Sequence, residues 1–389
     1  MKIYPKVVGN IEYSLFFHKK SGDIFCIGNK AVDKYIYANE TQTDSILNVL
    51  SYMDGKFDLE QIQNIIDVEK VPHVDVYEIY KICLNAGIIK SSESSSVKTK
   101  ESDFELLSTK LKSFPLSKMY SFFHTVSKLV PILPIIMIMA DVLFFYLLIT
   151  NNFKLPWKSM VSDVRTIFYF ILVSCFSIFI HEISHAILGY KYGLKPNNLN
   201  ISVYSFVTLM IYIELPGIYL LPQDKRFKIW SAGVFSNLFL ASVFYYIYIY
   251  STGQFSIFAG VGVVCNITSI ICNILPLVHS DGYFLLTTIL KIPNLRKESI
   301  SKTKKMLEGN FNLETLIYFL YFIATLAFVL IFIITQIFYY YNSIHSQIIQ
   351  KVTTINILKS YINMIILMII GIIGRIIKVY KKKTESINL

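Results

Sequence analysis

The chain has 389 residues, of which 54% are hydrophobic and only 16% are charged, with a net charge of +11. Soluble proteins carry about 25% charged residues, so this composition excludes an ordinary soluble protein. Several windows of about 20 residues are almost wholly apolar, which is the length that a helix needs to cross a bilayer. The composition therefore predicts a polytopic α-helical membrane protein.

Residues 1–92 are predicted to form a small domain of the α+β class. Residues 11–28 read as two alternating strands around a turn, and residues 40–67 as two helices separated by a turn at Asp54 and Gly55. A third helix ends near Gly87, and a short strand follows it. A hairpin followed by three helices is a winged-helix-like plan. No secretory signal opens the sequence, so we expect the N-terminus to lie in the cytoplasm.

Residues 93–128 are predicted to be a linker followed by a segment on the membrane surface, because residues 91–103 are rich in Ser and charge. The remainder, residues 129–389, is predicted to be an intramembrane domain. One further apolar stretch, residues 200–221, is interrupted by Glu214 and Pro216 and predicts a re-entrant hairpin. About six transmembrane helices are expected, at about 130–150, 165–189, 229–250, 256–277, 313–338 and 358–379.

Charge is distributed unevenly along the chain. Residues 1–90 contain 10 Lys and 12 Asp or Glu, a net charge of −2, so the rest of the chain carries +13. With six helices and the N-terminus inside, sixteen Lys and Arg fall in internal loops and helix ends, against five outside. Internal loops of membrane proteins are enriched in Lys and Arg. This asymmetry predicts that both termini are cytoplasmic, and it needs no nucleic-acid partner.

The second apolar segment contains the sequence FSIFIHEISHAILGYKYG, residues 176–193. His181 and His185 are four residues apart, so they share one helix face and can hold Zn²⁺ between them. Glu182 lies beside this face, where it can take a proton from a zinc-bound water. This is the HExxH pattern of zinc hydrolases. The alternative is that the three side chains are polar groups satisfied by neighbouring helices.

A catalytic zinc ion needs a third protein ligand and an open position. The sequence NILPLVHSDG, residues 273–282, offers Asp281 in a turn that Gly282 closes, after Pro276 ends the fourth helix. An aspartate there could reach the metal. By itself, however, an Asp-Gly pair is more often an ordinary turn or helix cap.

Together, HEISHAILGYKYG and NILPLVHSDG resemble the two motifs of the site-2 protease family of intramembrane zinc metalloproteases. SAGVFSN, residues 231–237, is similar to the start of the third core helix of that family, although Val234 stands where proline is common. The resemblance covers about residues 165–290. It implies that His181, His185 and Asp281 bind one Zn²⁺ and that Glu182 is the general base. It also implies that Asn273 lines the site and contacts substrate.

The tail of the second motif, DGYFLL, resembles the bacterial peptide zinc metalloprotease branch of this family. The loop between the third and fourth helices is short and holds no PDZ domain, which disfavours a role in stress signalling. The resemblance implies a multi-pass protein of the bacterial cytoplasmic membrane. Its substrate would be a ribosomally made peptide, modified or not. Two alternatives remain: a regulatory protease that cleaves a membrane protein, and a non-catalytic peptide exporter or immunity protein on the same fold.

Residues 1–92 resemble PqqD-type peptide-recognition domains, which bind the leader of a precursor peptide as an added strand at a sheet edge. The resemblance implies a leader peptide as partner. Two other roles stay open, a docking or regulatory module and a DNA-binding winged helix. The net charge of −2 argues against DNA, because DNA binding needs a basic face.

Three further ionisable residues have no assigned role. Asp141 is either a buried polar contact or part of a water path. Glu214 either binds a substrate amine or faces the cytoplasm, and His279 is either a solvated loop residue or a neighbour of the site. The five cysteines form no CxxC pair and are interpreted as small apolar fillers.

Overall fold

A computed structural model of the chain describes residues 3–17, 22–30, 33–69, 74–91, 108–150, 165–204, 208–277 and 280–349. It is mostly helical, with a small region of β-sheet near the N-terminus and a second sheet between the helices. The N-terminal region contains β1 (Pro5–Val7), β2 (Glu12–Phe17), β3 (Ile24–Asn29), β4 (Lys34–Asn39), α1 (Glu40–Ser51), α2 (Leu59–Val68), α3 (Val76–Asn85) and β5 (Ile89–Ser91).

The N-terminal sheet has the antiparallel order β2-β3-β4, and β1 pairs separately with β5. The hairpin expected within residues 11–28 corresponds to β2 and β3, and β4 adds a third strand. Asn39 and Asp58 begin α1 and α2 with capping boxes, in which the side chain accepts a hydrogen bond from the third residue of the helix. These caps explain why both helices start where they do.

Successive residues of a strand point to opposite sides of the sheet, and residues on each side of this sheet are buried in a different cluster. Ile27 and Ile36 face α1–α3 and form a core with Val49 and Ile62. The opposite face, which includes Cys26, packs on residues from the helical part of the chain. Burial raises the pKa of the Cys26 thiol to about 12, so this residue stays protonated.

A second sheet lies among the helices, with the order β6-β7-β8. Its strands are β6 (Ser108–Pro115), β7 (Asn198–Tyr204) and β8 (Thr208–Ile213). The stretch expected to form a re-entrant hairpin is thus a β-hairpin. Part of the stretch expected on the membrane surface is its third strand, paired antiparallel with β7. Sequence alone could not show this pairing, because the partner strands are far apart in the chain.

The helices that follow are α4 (Tyr120–Ser127), α5 (Leu133–Thr150), α6 (Arg165–Lys191), α7 (Gln223–Tyr250), α8 (Gly253–Ile274), α9 (Asp281–Leu290), α10 (Leu295–Leu307) and α11 (Leu313–Ile349). Helices α5, α6, α7, α8 and the first part of α11 are long and apolar enough to cross a membrane. The sixth expected helix, 358–379, lies outside the described residues. The structure is therefore compatible with a polytopic helical membrane protein.

Helix α7 is the centre of the helical part, because it packs against α5, α6 and α8. Phe144, Val173 and Tyr245 are buried where these helices meet. Gly262 lets α8 approach α7, since a Cβ atom there would lie 2.4 Å from the ring of Phe244. The start of α7 also reaches the N-terminal sheet, where Arg226 Nη2 donates a hydrogen bond to the carbonyl oxygen of Phe16.

Candidate metal centre

Two of the three side chains that converge at the site are histidines from one helix. His181 and His185 are 5% and 6% exposed, and they lie one turn apart on α6. Their Nε2 atoms are 3.3 Å apart. The expectation that these side chains share one helix face is therefore confirmed, and both point into the interior of the helical part.

Asp281 completes the group from another helix. Its Oδ2 lies 3.1 Å from His181 Nε2 and 3.3 Å from His185 Nε2. It is the first residue of α9, whereas the sequence analysis placed it in a turn. The preceding helix, α8, ends at Ile274, since Pro276 has no N–H to continue its hydrogen-bonding pattern. After the break, Ser280 Oγ donates a hydrogen bond to the carbonyl oxygen of Leu275.

Two close contacts bring Asp281 to the histidines. A Cβ atom at Gly282 would lie 2.1 Å from the carbonyl oxygen of Ile274, so only glycine allows α9 to start against the end of α8. Further along, the ring of Phe284 stacks on Trp230 of α7 with centroids 4.5 Å apart. The ring of Trp230 lies beside His185. Helix α9 is thus packed against both α8 and α7.

The spacing of the three ligand atoms fits a tetrahedral ion. Zinc binds nitrogen and oxygen at about 2.0–2.1 Å in tetrahedral geometry, which places neighbouring ligand atoms about 3.3 Å apart. The three distances here are 3.1, 3.3 and 3.3 Å. Among the described residues, this buried His-His-Asp group is the one cluster of such side chains that could hold a metal ion.

With a neutral His185 ring, the hydrogen bonds around this residue fit a bound cation. His185 Nδ1 lies 2.7 Å from the carbonyl oxygen of Ile229, which can only accept, so Nδ1 carries the proton of the neutral ring. Nε2 then presents a lone pair to Asp281 Oδ2. That oxygen is buried and has no hydrogen-bond donor. Lone pairs that face one another in a buried site repel, and a bound metal ion removes this repulsion.

His181 is oriented by Asn237 of α7, which is fully buried. The side-chain amide of Asn237 lies 3.0 Å from His181 Nδ1 and 2.7 Å from Ser269 Oγ. When His181 binds metal through Nε2, its Nδ1 carries the proton. The Asn237 amide, whose Nδ2 faces Nδ1 here, would then turn over so that its oxygen accepts from Nδ1. Such contacts behind a ligand fix its ring orientation and raise metal affinity.

Gly233 of α7 borders the site next to both histidine rings. A Cβ atom there would lie 2.4 Å from His181 Cε1 and 2.6 Å from His185 Nε2. The histidine rings therefore occupy the space that any other residue at this position would fill. The backbone of α7 forms one wall of the site.

Glu182 lies next to the group and is half-buried. Its Oε2 accepts a hydrogen bond of 2.9 Å from the backbone N–H of Ile213, the last residue of β8. The carboxylate is thereby held between α6 and the hairpin. Because it is not one of the three converging ligands, it is available for acid–base chemistry.

Asn273, expected to line the site, is half-buried near the end of α8. Its Nδ2 donates to Ser269 Oγ, which also contacts Asn237. Asn273 is therefore connected to His181 through Ser269 and Asn237. Whether it contacts substrate stays a prediction.

The three residues without an assigned role have different surroundings. Asp141 is buried and accepts a hydrogen bond of 2.7 Å from Ser242 Oγ, which is a polar contact between α5 and α7. Glu214 forms an ion pair with Lys110 of β6 and accepts a hydrogen bond from Asn198 Nδ2 of β7. It therefore links the end of β8 to the other two strands of the second sheet. His279 lies outside the described residues.

Sequence reasoning missed three residues that shape the site: Gly233, Asn237 and Ser269. The first two lie in SAGVFSN, which resembles the start of a core helix in the site-2 protease family but was assigned no site residue from sequence. The available signal was the spacing of four between Gly233 and Asn237, which places both on one face of a helix. Which face pointed to the histidines could be known only from the packing of α7.

Comparisons with known proteins identify no relative, since no family model, curated protein or solved structure matches this chain. The class of protein therefore rests on the fold and the site alone. Within the described residues, it has five helices that could cross a membrane and a buried His-His-Asp group that could bind a metal ion.

Proposed function

We propose that this protein is an intramembrane zinc metalloendopeptidase that cleaves a membrane-associated or ribosomally synthesised peptide, modified or not. The observation that carries the proposal is the buried group of His181, His185 and Asp281 with Glu182 beside it. Three ligands leave one position open, as in catalytic zinc sites, whereas structural zinc sites use four protein ligands.

The chemistry divides between the ion and the chain. Zn²⁺ held by the three residues would polarise the peptide carbonyl and acidify water. Glu182 would take one proton from the attacking water as the new C–O bond forms. It would then pass that proton to the leaving nitrogen as the C–N bond breaks, so that it ends the cycle as it began. The Ile213 N–H would hold the carboxylate in place throughout.

A substrate could reach Glu182 as an added strand on β8. Glu214 N–H donates to the Asn198 carbonyl, which places Ile213 and Ile211 at positions whose backbone groups point away from β7. Ile213 N–H binds Glu182, and no described strand pairs with this edge. An extended peptide here would present its backbone beside Glu182, and extended peptides are what proteases cleave.

Ile211→Pro removes one N–H from that edge. We expect cleavage by this variant to fall about tenfold with metal content unchanged, since a strand added at the edge would lose a backbone hydrogen bond and meet the proline ring. Ile211→Ala keeps the N–H and serves as the control. Equal cleavage by the proline variant and the alanine control would show that the edge of β8 does not receive substrate.

The N-terminal domain is proposed to hold the leader of a precursor peptide. The outer edges of β2 and β4 pair with no described strand, so either could accept one. A docking or regulatory role is the alternative. The negative charge of this region disfavours nucleic acid as a partner.

We propose that the protein lies in the bacterial cytoplasmic membrane, as the family resemblance implies, and that both termini are in the cytoplasm, as the Lys and Arg asymmetry indicates. His181 is eight residues from Gly189, near the end of α6, which corresponds to a depth of roughly 12 Å at 1.5 Å per residue. Peptide and water would enter from the side that carries the N-terminal domain and the second sheet.

The deciding experiment compares the wild type with Glu182→Gln, each expressed with any small peptide encoded next to its gene, by mass spectrometry of peptides from membranes and medium. We expect a shortened peptide with the wild type alone. General acid–base catalysis contributes about 10²–10⁴-fold, so the variant should show at most about 1% of the product. Zinc should be bound in both proteins, because Glu182 is not a ligand.

The rival functions predict other results. A non-catalytic exporter or immunity protein on the same fold would give identical peptide masses with both proteins. A regulatory protease that cleaves a membrane protein would leave the peptide intact but release a fragment of another protein, again only with the wild type.

A further inference from the structure

One segment of the chain contacts the candidate site at both of its ends. We define residues 213–229, from the end of β8 into the first turns of α7, as the bridging segment. Its first residue, Ile213, donates its N–H to Glu182 Oε2 at 2.9 Å. Its last residue, Ile229, accepts from His185 Nδ1 at 2.7 Å. In between, Gln223 Nε2 donates to the carbonyl oxygen of Thr288 on α9, the helix that begins with Asp281.

The middle of the bridging segment is held by the N-terminal sheet. Gly217 N–H donates to Tyr35 Oη at 2.7 Å, and the ring of Tyr35 meets that of Tyr219 edge to face at 5.5 Å. Gly217 has φ +90°, and a Cβ atom there would lie 2.8 Å from the Lys30 side chain. The sheet thus packs directly on this part of the backbone.

Arg226 of α7 connects the helical part of the chain to the N-terminal sheet. Its side chain is 1% exposed and forms no ion pair with any carboxylate among the described residues. Its Nη2 donates to the carbonyl oxygen of Phe16 at 2.7 Å, and the guanidinium lies 3.7 Å from the ring centroid of Phe16. A buried unpaired cation is costly, so these contacts must hold together for Arg226 to stay there.

The carbonyl that Arg226 uses is free because of a bulge. The register between β2 and β3 shifts between Leu15 and Phe17, which leaves Phe16 without a partner residue on β3. Bulges detach one backbone group from a ladder and turn it elsewhere. Here the detached carbonyl receives the guanidinium of the helical part.

From this geometry we propose that the N-terminal domain positions the catalytic residues, in addition to any recruitment of peptide. Tyr35 and Arg226 are positioning residues that act through the bridging segment on Glu182 and His185. The inference rests on the proposed function for its effect on cleavage, but its effect on the metal centre can be measured without a substrate.

The test uses the purified full-length chain and four variants. Tyr35→Phe removes the shorter of two hydrogen bonds from Gly217 N–H, that to Tyr35 Oη, and leaves Asp33 Oδ1 3.3 Å from this N–H. Arg226→Met removes the hydrogen bond to the Phe16 carbonyl. Arg226→Lys restores a donor, and Tyr77→Phe on α3, whose ring is 49% exposed, is the control. The readouts are the visible absorption of bound Co²⁺, which reports ligand geometry, and the kcat for two peptides. These are the precursor and the same precursor without its leader.

If the domain positions the site, kcat should fall for both peptides with KM little changed. We expect about a fivefold loss for Tyr35→Phe, in line with the loss of one hydrogen bond, and more for Arg226→Met. Arg226→Lys should recover much of the loss, the Co²⁺ spectrum should change in step with kcat, and Tyr77→Phe should match the wild type.

A domain that only recruits peptide gives the opposite pattern. The variants would then cleave the leaderless peptide as fast as the wild type, with an unchanged Co²⁺ spectrum, and the inference would be overturned. If the wild type cleaves neither peptide, the proposed function fails, and the spectrum alone decides. A changed spectrum in Tyr35→Phe and Arg226→Met then supports positioning, and an unchanged one rejects it.

Discussion

Asp281→Ala is expected to lower zinc affinity by well over 100-fold and to abolish peptide cleavage. Asp281 Oδ2 is the ligand atom that comes from outside α6, at 3.1 and 3.3 Å from the two histidine nitrogens. Loss of contacts that merely support a ligand already costs about 10–100-fold in metal affinity. Removal of the ligand itself leaves two histidines on one helix, which is too few to hold zinc against a competing chelator.

The measurement is the zinc content per chain after dialysis against a series of chelators of increasing zinc affinity. Asp224→Ala is the matched control, because Asp224 is an exposed carboxylate one turn before Lys228 on α7. We expect the control to retain zinc as the wild type does. Stoichiometric zinc in Asp281→Ala under the same conditions would mean that other residues bind the metal.

A second large loss of metal binding is expected from a change at Gly233, which has no side chain to bind metal or substrate. Gly233→Val should eliminate metal binding, because its Cβ would lie 2.4 Å from His181 Cε1 and 2.5 Å from His181 Nε2. Neither ring can retreat easily, since His185 is bonded to Ile229 and His181 contacts Asn237. The side chain would therefore displace at least one ligand, and cleavage should fall by about 100-fold or more, as for direct damage to a metal site.

A control on the same helix separates this steric effect from general damage. Ser231→Val places the same β-branched side chain two residues earlier, where the Ser231 hydroxyl makes an exposed contact with the Lys228 carbonyl. We expect this variant to bind zinc and to remain in the membrane at wild-type levels. Wild-type zinc affinity in Gly233→Val would contradict the close approach of α7 to the histidines.

The two sets of variants answer different questions about the site. Asp281→Ala and Gly233→Val test whether the metal centre is assembled as the three converging atoms indicate. Glu182→Gln tests whether the centre hydrolyses anything, since it removes a base and leaves the ligands. A protein that binds zinc but is indifferent to Glu182→Gln would retain the fold of the site without the proposed reaction.

Much of the helical part could be predicted from sequence, because a long apolar helix is recognisable within a single window of about 20 residues. Apolar windows of sufficient length predicted the helices now seen at Leu133–Thr150, Arg165–Lys191, Gln223–Tyr250 and Gly253–Ile274. Their ends differ by several residues, most of all for α7, which starts at Gln223 and not near 229. The charged first turn of α7 hid its start, since Arg226 and its neighbours lower the local hydropathy although Arg226 is buried.

The site residues likewise differ in whether local sequence could predict their position. A spacing of four on one helix is enough to place His181 and His185 together, because helix geometry determines which residues share a face. Asp281 was linked to them only by family resemblance. In physical terms its position depends on the break at Pro276 and on the contact between Gly282 and the Ile274 carbonyl, which involve two helices.

Local pattern was enough for the apolar helices, the histidine pair and the presence of a hairpin in residues 200–221, because periodicity and turn chemistry act over a few residues. The hairpin itself covers residues 198–213. Tertiary structure alone decided that β6 joins the hairpin, that Gly233 and Asn237 of α7 face the histidines, and that Arg226 binds the bulge at Phe16. Each of these depends on groups distant in sequence. Such contacts are selected by the packing of the whole chain, and no short window contains both partners.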